Sequence, residues 1–156
     1  MKLKVEDIVR LTQPMASNGS RPASALQHLA NVAGSAELSL AVLLLSDHVQ
    51  AAMEYYERIR IKLNDKYGTL NEKTNRYAFA TDEDRRRFDD AFQRLLQHEL
   101  ELDCEPLDWQ KVKQANLTAA QLSVLRPVVD GLPAAPGEDY NPLSDFEDEL
   151  LGGDEE

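Results

Sequence analysis

The densest group of chemically capable side chains is His98, Glu99, Glu101, Asp103, Cys104 and Glu105, an imidazole, a thiol and four carboxylates. A metal would need several of these donors converging on one point, and none of the usual zinc spacings occurs. The segment alternates with period two, so His98, Leu100, Leu102 and Cys104 share one side of a strand and the acids share the other. The expectation is a strand with a solvated carboxylate face, and no metal or other cofactor is assigned.

Other catalytic arrangements are weaker. Acid–base chemistry needs paired groups whose environments separate their pKa values, and no stretch places such a pair together. Three histidines without a nucleophile elbow or a glycine-rich loop do not define a nucleophilic site, and His28 and His48 read as packed or surface helix residues. No catalytic residue is assigned, and the chain is not expected to be an enzyme. The run Arg85-Arg86-Arg87 could grip phosphate, but consecutive helical residues point about 100° apart. Ion pairs with Asp82, Glu83, Asp89 and Asp90 are the better expectation.

The charge distribution separates two regions. The chain carries 17 Lys and Arg against 28 Asp and Glu, for a net charge of −11. Residues 132–156 hold nine of the acids and no base, so residues 1–131 are at only −2. A nearly neutral domain with an acidic tail does not suit direct binding to a phosphate backbone. The single Cys104 precludes an internal disulfide and fits a reducing compartment. Acids at Glu6 and Asp7, and an apolar run limited to Leu38–Leu45, argue against an export signal or a membrane anchor.

These residues must be positioned by helices, chiefly by one. Leu38, Val42, Leu45, Val49, Ala52, Tyr56, Ile59 and Leu63 recur at steps of four and three, the mark of a long helix with a continuous buried stripe over Ser35–Tyr67. Leu38–Leu45 is apolar on nearly every side and reads as core. Val49–Leu63 carries a narrower stripe, to be covered by Phe88–Leu96 or by another chain.

Around it, Met1, Leu3 and Val5 suggest a short strand that feeds a helix through Ile8, Leu11, Thr12 and Met15. Pro14 and Ser17–Ser20 form a loop. Ser24 and Gln27 make a capping box, with Gly34 as a left-handed stop and Ser35 as the next cap. Lys66-Tyr67-Gly68 ends the long helix. Thr69–Ala80 fits a small β-hairpin or a flexible loop, and Thr81 caps a helix whose buried face is Phe88, Ala91, Phe92, Leu95 and Leu96. Trp109 and Val112 fall in a polar connection after Pro106. Thr118 and Gln121 form a second capping box, with Leu117 and Leu122 as a staple and Leu122 and Leu125 facing inward. Val128-Val129 can add a last strand before Asp130-Gly131 turns the chain.

The fold expected is mostly α with a small β component, a globular domain over 1–131 and a Pro- and Gly-containing tail over 132–156. That tail has too little apolar surface to order alone. Tyr140, Leu143, Phe146, Leu150 and Leu151 are nonetheless interleaved with its acids. Leu143, Phe146 and Leu150 could form an amphipathic turn in a partner's groove, or the tail could merely solubilise. The candidate protein-binding residues are therefore Val49, Tyr56, Ile59 and Leu63 on the helix, with those five on the tail.

The long helix ending Glu57-Arg58-Ile59-Arg60-Ile61-Lys62-Leu63-Asn64-Asp65-Lys66-Tyr67-Gly68, the hairpin, Phe88–Leu96, His98–Leu102 and Leu117–Leu125 together resemble a family of small tailed-bacteriophage proteins of unassigned function. The resemblance covers about residues 1–130. It leaves out the tail, and the Ala16–Pro22 loop is longer than its pattern. It implies a non-enzymatic structural or assembly protein, such as a virion accessory or head–tail component. Such a protein works through contacts with other phage subunits or with itself, in the host cytoplasm or the virion. An acidic inhibitor imitating DNA charge against a host nucleic-acid enzyme is the alternative.

Overall fold

The computed structural model describes residues 1–15, 21–133 and 143. The chain opens with β1 (Lys2–Lys4) and α1 (Val5–Thr12), then α2 (Ala25–Val32) and the long α3 (Ala36–Tyr67). A hairpin of β2 (Thr69–Asn71) and β3 (Arg76–Ala78) leads to α4 (Asp82–Gln97) and β4 (Glu99–Glu101). The C-terminal part is β5 (Leu107–Asp108), α5 (Trp109–Val112), α6 (Ala119–Leu125), a 3-10 turn over Arg126–Val128, and β6 (Val129–Asp130). The fold is mostly helical with three small two-stranded sheets among the described residues: β1 antiparallel to β4, β2 antiparallel to β3, and β5 parallel to β6.

The helix starts are set by side chains that satisfy otherwise orphaned amides. Ser24 accepts from the Gln27 amide at 3.2 Å while Gln27 accepts from the Ser24 amide at 3.0 Å, and Thr118 and Gln121 repeat the box. Ser35 caps α3 and Thr81 caps α4 in the simpler one-way form. The helix ends are less regular. Neither Gly34 nor Gly68 is left-handed, and Asn75 in the hairpin and Gly131 after β6 are the described residues with positive φ. Gly68 instead answers a close approach, since a Cβ there would sit 3.1 Å from the Asn64 carbonyl and 3.3 Å from that of Ala78.

The core is aliphatic and lies against one side of α3. Leu38, Val42, Leu45 and Val49 are joined by Leu3, Ile8, Leu11, Leu26 and Leu29 from the N-terminal elements. Leu102, Leu107, Val112, Leu125, Val128 and Val129 close it from the C-terminal side. Full burial of such a side chain is worth about 1.5–3 kcal/mol, so this cluster holds most of the stability. Trp109 and Val112 are not in the polar connection expected of them: Asp108 caps α5 and Val112 is fully buried. A single helical turn is too short to show a period in sequence.

Leu38–Leu45, expected to be core on nearly every side, is core on one side only. Leu40, Leu43 and Leu44 are 57%, 57% and 51% exposed. The described elements cover one face of the helix and leave the leucines that point the other way in solvent.

Beyond Val49 the packing changes character. Among the described residues α4 lies along the second half of α3, yet no residue of α4 is fully buried. Phe88, Ala91, Phe92, Leu95 and Leu96 form its inward face and are all half-buried. The joint is aromatic: the Tyr56 and Phe92 rings are 6.4 Å apart, Phe92 stacks on Phe88 at 5.7 Å, and Phe88 meets Phe79 at 5.2 Å. Such pairs add about 0.5–1.5 kcal/mol beyond burial. The Tyr77 hydroxyl donates to Asp65 at 2.8 Å, tying the hairpin to the end of α3.

Candidate functional site

The acidic strand is shorter than its sequence pattern and is paired. β4 spans Glu99–Glu101, with His98 as the exposed cap of α4. In the register with β1, Lys2 stands opposite Glu101 and Lys4 opposite Glu99. Opposite charges on directly paired positions attract; the ion pair formed is between the Met1 amino group and Glu101 at 3.4 Å, while Lys4 donates to Gln97 at 3.1 Å. Among the described residues no group of three or more His, Cys, Asp or Glu side chains is placed to hold a metal. Arg87 pairs with Glu83 at 2.6 Å; among the described residues Arg85 and Arg86 form no such bridge.

One cleft brings several titratable groups together. It has a volume of about 470 Å³ between the start of α3 and the 103–111 segment, and its lining includes Leu44, His48, Cys104, Pro106 and Lys111. Across its rim Lys111 donates to Glu37 at 2.7 Å. That hydrogen bond and charge hold the Glu37 carboxyl below its ordinary pKa and raise that of Lys111. Burial pushes the Cys104 thiol up, helped by Asp103, so it is not an activated thiolate. The acid and base described on this cleft, Glu37 and Lys111, are paired with each other, each favouring the other's charged form.

The unusual surface is instead the outer face of α3. Leu40, Leu43 and Leu44 are followed along the helix by Ala51, Tyr55 and Ile61, all exposed and all on the side of α3 opposite Leu38, Val42 and Leu45. Tyr55 is 64% exposed and Ile61 47%. Single exposed apolar residues are ordinary, whereas a row of them along one helix face is a candidate contact surface. Leu44 is shared between this face and the cleft.

The sequence-derived binding residues fall into three groups. Val49 and Tyr56 are buried inside the chain, at 1% and 9% exposure, by the core and by α4. They are not available to a partner. Ile59 is 42% exposed and Leu63 half-buried, at the edge of the α4 joint. Leu143 is exposed, whereas Tyr140, Phe146, Leu150 and Leu151 lie outside the described residues, as do the expected disorder of the tail and its docking turn. Leu40, Leu43 and Leu44 were hidden from sequence reasoning because a leucine-rich run looks like core whichever way its members point. The usable signal was their position opposite Leu38, Val42 and Leu45 on a helical wheel.

The fold and this surface define a mostly helical α+β domain whose longest helix leaves an apolar face in solvent. Compared with protein-family models, curated proteins and solved structures, the chain matches none. No described helix is long and apolar enough to cross a membrane.

Proposed function

We propose that this chain is a non-enzymatic structural or assembly protein that works by protein–protein contact through the outer face of α3, with a tailed-phage virion or head–tail role as the finer reading. The single observation that supports it is the exposed row Leu40, Leu43 and Leu44, backed by a helix whose inner face is buried from Leu38 to Tyr56. A rigid helix presenting aliphatic side chains is a ready surface for a groove or a second helix. Its partners would be other phage subunits or the chain itself, not nucleic acid or lipid. The phage role draws on the sequence resemblance alone.

Imitation of DNA charge has less support, because Lys2 and Lys4 stand opposite the acids of β4. Affinity capture with the full chain in its native setting tests the proposal. Virion or assembly subunits should co-elute with the wild-type chain and be lost with Leu40→Asp/Leu43→Asp. Equal capture by the double variant, or salt-sensitive recovery of a host nucleic-acid enzyme alone, would overturn it.

A further inference from the structure

The outer face of α3 carries charge as well as leucine, and the charge has a direction. Asp47 and Glu54 come first, and Arg58 and Lys62 follow. Among the described residues none of the four forms an ion pair, although Glu54 and Arg58 are one turn apart. The Arg58 guanidinium lies over the Tyr55 ring instead, 5.4 Å from its centroid, which keeps it on the outer face. Over Leu43–Lys62, short of Asp65 and its bond from Tyr77, the face is acidic towards one end and basic towards the other, and is complementary to itself when turned end for end.

We propose that this face binds a second copy of the chain, the two α3 helices lying antiparallel with Asp47 of each opposite Arg58 of the other and Leu44 opposite Ile61. The inference rests on the contact function proposed above and names the occupant of that face. Both pairings belong to one register, since Leu44 precedes Asp47 by one turn and Ile61 follows Arg58 by one turn. A two-fold axis then makes each pairing twice, as a closed dimer requires. A parallel arrangement in register would set Asp47 on Asp47 and Arg58 on Arg58.

The contact would run over about 20 residues, or ~30 Å of helix, from Leu43 to Lys62. It stops before the turn where Tyr77 is tied to Asp65. The small Ala51 lies near the middle of the stripe, where two helices must approach most closely, and is exposed. Leu43 would lie under the aliphatic stem of Lys62, whose ammonium can stay in water.

Sedimentation equilibrium of the purified full chain tests this, with Asp47→Arg, Arg58→Asp and the double exchange as variants. The wild type should sediment at twice the chain mass, each single reversal should weaken association by about tenfold or more, and the double exchange should recover most of it. Both positions are exposed, and a melting curve for each variant checks that it folds. A wild type that is monomeric at about 100 µM, or a double exchange no better than the singles, would overturn the proposal. A monomer that still captures virion subunits through Leu40 and Leu43 would overturn self-association while leaving the contact function standing. A dimer restored by the exchange that captures no other subunit would support self-association and remove the assembly role.

Discussion

The two halves of α3 are one continuous helix held by different means. Around its first half, Val42, Leu45, Leu11, Leu29 and Leu125 are each no more than 1% exposed, and they come from four separate helices. Around its second half the cover is α4, with no fully buried residue, joined through the rings of Tyr56, Phe92, Phe88 and Phe79. Burial from several directions makes the first half cooperative with the whole domain. A few half-exposed rings and a hairpin tie leave the second half free to open locally at lower cost.

The largest effect should come from the first half. Leu45→Ala leaves a cavity in the centre of the aliphatic cluster and should cost about 2–5 kcal/mol of global stability, read from urea unfolding. Phe92→Ala removes the ring shared by Tyr56 and Phe88 but acts at a half-exposed position. It should cost less, about 1–3 kcal/mol, below the range for a buried aromatic. Its sharper signature is amide exchange that accelerates in the hairpin and α4 and stays unchanged in α1 and α2. Equal acceleration everywhere would break the division.

Smaller effects test the frame of the helices. Ser24→Ala removes one half of a capping box at the start of α2 and should cost about 1 kcal/mol, with Thr118→Ala similar at α6. The smallest is the exposed Glu37–Lys111 pair. The Glu37 pKa is lowered on folding, so its contribution is present above the ordinary carboxylate pKa and is lost as pH falls through the folded value. Proton titration of Glu37 by NMR should show it below its ordinary range, returning towards it in Lys111→Ala.

Much of the architecture was legible because its signals are local. Ser24 with Gln27, Ser35, Thr81, and Thr118 with Gln121 each announced a helix start from residues three apart or fewer. Over Thr69–Ala80 the sequence left a hairpin and a flexible loop open, and the two strands do pair there, with Asn75 in the left-handed conformation. What sequence did not reveal depends on distant partners. The lysines opposite β4 come from the other end of the domain, and the parallel pairing of β5 with β6 rests on two residues a side. Nor can composition tell an inward position from its neighbour when both are apolar: Val42 and Leu43 differ chiefly in which side of α3 meets protein.

Those two adjacent residues give the most direct measurement of the central claim, that α3 has an inner face that folds the domain and an outer face that meets a partner. Val42→Asp and Leu43→Asp should be compared by thermal melting and by capture of partner chains. Val42 is fully buried, so an unpaired carboxylate there should abolish cooperative folding. Leu43 is 57% exposed, so the same change should leave the melting temperature within a few degrees and abolish capture of other subunits, while self-association, in which position 43 faces Lys62, is retained. If Leu43→Asp unfolds the domain as Val42→Asp does, or captures other subunits as the wild type does, α3 has no such outer face.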